Sequence, residues 1–182
     1  DQDKPVLLNP LYYDCPVLCN LVVDGVAASV DELDWRAGKD YLIVSFTVDS
    51  LEGPLEASAT RERIASTLNR PEAMDGWYFL SDPGVAAGSA ARLADAIGFR
   101  YKPEPRTGEI IHPAAIAFIR PESPSAEEAM QETGTGSAEE HGQHPAGRVI
   151  RYLYGFSFEP FELKNALYET AQGNIGSTVE QV

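Results

Sequence analysis

Strand-like and helix-like hydrophobic patterns alternate along the first hundred residues. Three short apolar runs are rich in β-branched and aromatic residues, as strands are: residues 5–13, 41–49 and 77–80. Three other stretches repeat apolar residues at helical spacing: about residues 16–33, about 55–68, and a third that contains Ala90, Leu93, Ala94 and Ile97. The pattern therefore predicts the order β-α-β-α-β-α.

The last third of the chain has a different pattern. Residues 114–119 and 149–154 are strand-like and could pair as a hairpin, and a helix is predicted over about residues 160–171, closed by Gly173. Between the two strands, about residues 121–147 are rich in Glu, Ser, Gly and Ala, and we interpret them as a flexible acidic insertion. The predicted class is α/β with a thioredoxin-like fold, in which a mixed central sheet carries helices on both faces.

Length and charge narrow the possible functions. A chain of 182 residues suits a single domain, here residues 1–182. The net charge of -14 makes nucleic acid and anionic membranes improbable partners, because both repel an acidic surface. The apolar run at 42–48 is too short to cross a bilayer. The chain starts at Asp1 and enters an apolar run within five residues, so we expect that an upstream segment, which could be a signal peptide or an anchor, has been removed.

The segment YYDCPVLCN contains the two cysteines of the chain, Cys15 and Cys19, where the first predicted strand meets the first predicted helix. Positions four apart lie on one helical face, so the two sulfurs could form a disulfide or bind one metal ion. A position at a helix N-terminus also favours a Cys15 thiolate. Two cysteines exclude a disulfide-stapled scaffold and a four-thiolate zinc site. The alternative is that both are small buried core residues.

The sequence KPVLLNPLYYDCPVLCN closely resembles the motif region of the Sco/SenC family of copper-binding, thioredoxin-like proteins, which serve cytochrome c oxidase assembly. The resemblance continues through YLIVSFTVDS, WYFLSD, LADAIGFRYK, IIHPAAIAFIRP and GRVIRYLYGFSFEPFELKNAL, and leaves out only the acidic insertion. The family holds copper through the two motif cysteines and a histidine before a late strand. The matching residues here are Cys15, Cys19 and His112, and the resemblance implies a site for Cu(I) and Cu(II).

The residues around this trio leave several alternatives open. Relatives often carry an acidic residue just before the histidine, whereas this chain has Ile111, so a partner that would orient the imidazole is in doubt. Asp49 and Asp14 could act electrostatically, or could be solvated carboxylates at strand ends. His141 and His144 in the insertion could capture copper or contact a partner, but a solvated loop is the favoured interpretation.

Four functions are compared. The resemblance favours a copper metallochaperone that delivers copper to a cytochrome c oxidase copper-binding subunit or another copper protein. The main alternative is a thiol-disulfide reductase in which Cys15 attacks and Cys19 resolves, keeping a partner's copper ligands reduced. A peroxiredoxin-like peroxidase is disfavoured because Tyr12 stands where a threonine is expected, and a non-catalytic interaction domain would have unreactive thiols. The resemblance implies a soluble domain, tethered to a bacterial membrane on its periplasmic or exported face.

Overall fold

The structure is a computed structural model that describes residues 4–15, 18–82, 88–122 and 146–174. The strands are β1 (Val6–Leu11), β2 (Leu42–Thr47), β3 (Trp77–Leu80), β4 (Lys102–Pro103), β5 (Ile110–Ile111), β6 (Ala115–Glu122) and β7 (Ala146–Tyr154). The helices are α1 (Leu18–Glu32), α2 (Pro54–Thr67), α3 (Ser89–Ala96) and α4 (Pro160–Gln172), with a 3-10 helix at Pro71–Gly76. The predicted element order is confirmed, and the predicted boundaries lie within a few residues of those observed.

Five strands form one mixed sheet in the order β3-β2-β1-β6-β7. β1, β2 and β3 run parallel, β6 runs antiparallel to β1, and β7 pairs antiparallel with β6 as the predicted hairpin. The sequence predicts that the strand at 41–49 is central; β2 is an interior strand, but the middle position belongs to β1. A second, two-stranded sheet of β4 and β5 is not apparent from the sequence pattern.

The two faces of the sheet support separate cores. On one face, Leu7, Leu11 and Ile43 pack with buried residues of α1, α2 and α4. On the other face, Leu8 and Phe46 pack with buried residues of α3 and the segment after it. The right-handed crossover rule accounts for α1 and α2 on the same face, because each connects two parallel strands and β1, β2 and β3 are added in one direction across the sheet. The predicted helices on both faces are confirmed.

Turns and helix ends follow local chemistry. Gly173 ends α4 in the left-handed conformation at φ 72°, as a C-terminal glycine can without strain.

Most of the predicted acidic insertion at about 121–147 lies outside the described residues. Within the described ranges, no helix combines the length and apolar character that a membrane crossing requires.

Candidate metal centre

Strand pairing brings the segments that contain Cys15 and His112 to the same edge of the sheet. Cys15 follows the end of β1, and His112 precedes the start of β6. Because β6 runs antiparallel to β1, the end of one strand lies beside the start of the other. Leu11, the last residue of β1, also pairs with Thr47, the last residue of β2, so the loop after β2 reaches this edge too.

Cys15 lies in the turn between β1 and the described start of α1. Its N–H donates to the carbonyl oxygen of Tyr12 at 3.4 Å, and its own carbonyl oxygen accepts Nδ2 of Asn20 at 3.0 Å. The residue is buried, with 5% of its surface exposed, and it belongs to the core beneath α1. The Cys15 backbone is therefore tied to the end of β1 and to the first turn of α1.

Tyr12 contacts both halves of the predicted site. Its carbonyl oxygen accepts the Cys15 N–H, and its ring meets the His112 imidazole edge-on, with 5.9 Å between centroids and 82° between planes. The ring of Phe99 also contacts the imidazole, at a centroid distance of 5.6 Å and an angle of 43° between planes. The two aromatic rings thus restrict the orientation of His112 beside the turn that contains Cys15.

The hydrogen bonding of His112 determines which ring nitrogen carries its proton. Nδ1 lies 2.9 Å from the carbonyl oxygen of Pro113, which can only accept, so Nδ1 is the protonated nitrogen of the neutral ring. The lone pair then lies on Nε2, the nitrogen that a metal would bind. Burial lowers the pKa of His112 from its ordinary value, with the Pro113 bond acting in the opposite direction. Because the net effect lowers the pKa, the imidazole is neutral at neutral pH. The bond to Pro113 fixes its tautomer. In this chain, where residue 111 is isoleucine, the Pro113 carbonyl is a hydrogen-bond partner that orients the imidazole.

Glu52 is a site residue that the sequence analysis missed. Its carboxylate is 4% exposed and accepts the N–H of Tyr13 at 2.8 Å and the N–H of Asp14 at 2.6 Å. The Thr47 hydroxyl donates to the same carboxylate. Burial raises the pKa of Glu52, and the hydrogen bonds from Thr47, Asp14 and Tyr13 oppose that rise. A glutamate three residues after a strand-end aspartate has no sequence signal for burial, because surface loops commonly carry glutamate.

Tyr13 anchors the same turn through its side chain. Its phenol lies 2.9 Å from the carbonyl oxygen of Leu80, the last residue of β3, and 3.2 Å from that of Ser45 within β2. Burial raises the pKa of Tyr13 above its ordinary value, so the phenol stays protonated and donates. The segment from Tyr12 to Cys15 is thereby held by backbone and side-chain bonds together.

The two aspartates considered in the sequence analysis occupy different environments. Asp14 is exposed, and its N–H, not its carboxylate, bonds to Glu52. Asp49 is partly buried, and its Oδ1 accepts the N–H of Leu51 at 2.9 Å. Asp49 also lines a cleft of about 440 Å³ with Asp82 and Tyr101, beside the loop after β2. Asp49 therefore shapes the loop that carries Glu52, and its charge contributes to the raised Glu52 pKa.

Cys19 is the second residue of α1, and its side chain lies outside the described part of the chain, as do His141 and His144. Among the described residues, no group of three or more His, Cys, Asp and Glu side chains is arranged to hold a metal. Ligation by Cys15, Cys19 and His112 together therefore stays a prediction. The structure does bring the turn with Cys15 and the imidazole of His112 to one place.

Comparison with solved structures reveals the same fold elsewhere. No family model matches the sequence, and no curated protein matches it significantly. A crystal structure of an Aquifex aeolicus VF5 protein is 20% identical in sequence, with a TM-score of 0.67. The alignment covers 100% of this chain and 85% of the Aquifex chain. A SCO1/SenC family lipoprotein from Bacillus anthracis is 15% identical, with a TM-score of 0.58, and covers 94% of this chain and 82% of its own. Arabidopsis thaliana ScoI, solved with copper bound, is 13% identical in sequence, also with a TM-score of 0.58. The alignment covers 94% of this chain and 86% of the ScoI chain.

The chain has the fold of the SCO1/SenC proteins. The thioredoxin-like fold predicted from the element order is thus confirmed, and so is the likeness to Sco proteins that the sequence motifs indicated. In this Sco fold, the predicted site lies where β1 ends and β6 begins. The match to the SCO1/SenC lipoprotein fold covers 94% of this chain.

Proposed function

We propose that this chain is a copper-binding metallochaperone for the assembly of a cytochrome c oxidase copper site. It binds Cu(I) and Cu(II) as cargo through Cys15, Cys19 and His112. The observation that carries the proposal is the double contact of Tyr12, whose carbonyl oxygen bonds to the Cys15 N–H while its ring packs on His112. The fold shared with a copper-bound ScoI supports the same function.

The donor chemistry fits copper. Thiolates are soft ligands that suit Cu(I), and an imidazole nitrogen added to them accommodates Cu(II) as well. His112 meets the requirement for a ligand, because its proton lies on Nδ1 and burial favours its neutral form. Burial of Cys15 keeps water from the sulfur, and this limits oxidation of a copper thiolate site.

Copper titration of the reduced protein without oxygen tests the proposal. Wild type should bind one Cu(I), and it should bind one Cu(II) with a thiolate-to-copper absorption band. Cys15→Ala and Cys19→Ala should lose both, and His112→Ala should retain Cu(I) better than Cu(II). The control is the double variant His141→Ala, His144→Ala, which removes the other two histidines and should bind as wild type. No one-to-one binding by wild type would reject the chaperone.

The second candidate is a thiol-disulfide reductase that keeps the copper-ligand cysteines of a partner reduced. The position of Cys15 between β1 and the start of α1 favours it, because helix N-terminal N–H groups stabilise a thiolate. The 5% exposure of Cys15 weighs against it, since attack requires a partner disulfide to reach the sulfur. Rapid reduction of a synthetic peptide with one internal disulfide, together with absent copper binding, would favour the reductase.

The proposal includes a location and a partner. The domain faces the periplasm or the exported side of a bacterial membrane, to which the full-length protein is tethered. It delivers copper to the copper-binding subunit of the oxidase or to another copper protein. The net charge of -14 supports a protein partner with basic groups at its docking surface. Fractionation of the producing cell, followed by immunodetection, tests the location.

A further inference from the structure

Glu52 is the one carboxylate that is buried among the residues the structure describes. Burial of an ionisable group is unfavourable unless hydrogen bonds or charges compensate for the lost water. In this case the compensation comes from two backbone N–H groups and the Thr47 hydroxyl, and none of the salt bridges of the described chain includes Glu52. The backbone groups belong to Tyr13 and Asp14, which directly precede Cys15.

These bonds join segments that are far apart in sequence. Glu52 lies in the loop after β2, 38 residues from Asp14 and 39 from Tyr13. Thr47, which also donates to the carboxylate, is the last residue of β2 and accepts the N–H of Asp49 at 3.0 Å. The turn that positions Cys15 is therefore connected through Glu52 to the end of a buried strand.

A carboxylate suits this position better than an amide of the same size. The N–H of Asp14 points to Oε1, and the N–H of Tyr13 points to Oε2, so both oxygens must accept. A glutamine would present one accepting oxygen and one NH₂ group, which would face a backbone N–H. Residue 52 therefore influences where Cys15 lies and how reactive it is.

We propose that Glu52 is the positioning residue of the candidate site, setting the location and reactivity of Cys15 through the backbone of Tyr13 and Asp14. The effect of Glu52 on copper binding rests on the proposed function, whereas its effect on Cys15 in the metal-free protein does not. Glu52 does not touch cargo in this role; it acts through the turn. A loop that is free to move would expose the sulfur and would place it less accurately for a metal or a partner.

Alkylation of the metal-free protein tests the role without copper. The Cys19→Ser variant serves as the parent, so that iodoacetamide reports on Cys15 alone. Three further variants are made in this Cys19→Ser parent: Glu52→Ala, Glu52→Gln and the control Glu56→Ala. Glu56 is a matched control because its carboxylate lies in the same segment and accepts one backbone N–H, that of Gly53 at 2.8 Å. Urea unfolding of each variant gives the fraction unfolded, and this contribution is subtracted from the alkylation rate.

Glu52→Ala should alkylate on the order of tenfold faster than the parent, because two buried hydrogen bonds that hold the turn are lost. Glu52→Gln should lie between the two, since it keeps one acceptor, and Glu56→Ala should match the parent. If Glu52→Ala does not fold, Glu52→Gln decides by itself. A parental rate in the folded Glu52 variants would overturn the positioning role.

Copper titration of the same substitutions, made in a chain that keeps Cys19, separates this role from the proposed function. If wild type binds copper, Glu52→Ala should bind Cu(II) with a shifted thiolate absorption band, and Glu56→Ala should not. An unshifted band in Glu52→Ala would count against positioning even where copper binds. If wild type binds no copper, the metallochaperone proposal fails, and the alkylation rates still decide the role of Glu52.

Discussion

The ring of Tyr12 meets the imidazole of His112 edge-on at a centroid distance of 5.9 Å. The backbone carbonyl of the same tyrosine accepts the N–H of Cys15. Tyr12 therefore contacts the predicted ligand His112 through its ring, and it contacts the turn that contains the predicted ligand Cys15 through its backbone. A substitution at position 12 changes the ring contact and leaves the carbonyl in place, so the two contacts can be separated by mutation.

We expect Tyr12→Leu to raise the His112 pKa toward its ordinary value of 6.5. Burial is what lowers this pKa, and loss of the ring admits water to one side of the imidazole. Proton NMR titration of the imidazole in the metal-free protein measures the change. Tyr12→Phe, which keeps a ring, should leave the pKa unchanged. An unaltered pKa in Tyr12→Leu would show that Phe99 alone keeps water from His112.

Glu52 gives a prediction about pH. Because its pKa is raised in the folded protein, ionising Glu52 costs more in the folded protein than in the unfolded chain. This contribution to stability is present below the unfolded pKa, about 4.3, and is lost as pH rises through the folded pKa. Glu52→Gln does not titrate at this position. Urea unfolding at a series of pH values should show the stability difference moving in favour of Glu52→Gln as pH rises through that window, and a pH-independent difference would contradict the raised pKa.

Trp77 begins β3, an edge strand of the sheet, and packs against the sheet core. It is 1% exposed, stacks on Phe79 at 5.4 Å, and donates from Nε1 to Oγ of Ser45 at 3.0 Å. Trp77→Phe should lower the free energy of unfolding by about 2 kcal/mol, through lost burial and a lost buried hydrogen bond. Urea unfolding measures this. Tyr78→Phe, at the exposed neighbour, should change stability by less than about 0.5 kcal/mol; equal effects would mean that Trp77 has no special packing role.

Gly25 allows α1 to approach the segment after β7. A Cβ added there would overlap the carbonyl oxygen of Phe156, a backbone atom that cannot rotate away. Gly25→Ala should therefore destabilise the protein by about 2 kcal/mol, although alanine favours helices over glycine. Thermal unfolding measures the change. Ala28→Leu adds bulk to the exposed face of the same helix and should be nearly neutral; a neutral Gly25→Ala would show that α1 can shift away from Phe156.

The sequence by itself determined the local elements and their order. Apolar residues at spacings of two or four report which face of a strand or helix is buried, and this information is local. Residues such as Gly173 added end signals that the structure confirms. The resemblance to Sco/SenC sequences also indicated Cys15, Cys19 and His112 as candidate copper ligands, from the short segments around each residue.

Only the tertiary structure decided what these segments contact. The register of β6 against β1 places His112 beside Tyr12, although a hundred residues separate them, and no local pattern encodes that pairing. Burial of Glu52 depends on how the loop after β2 packs against the turn before Cys15. The physical reason is that hydrogen bonds between distant segments depend on strand order and packing, and these arise only when the whole sheet has formed.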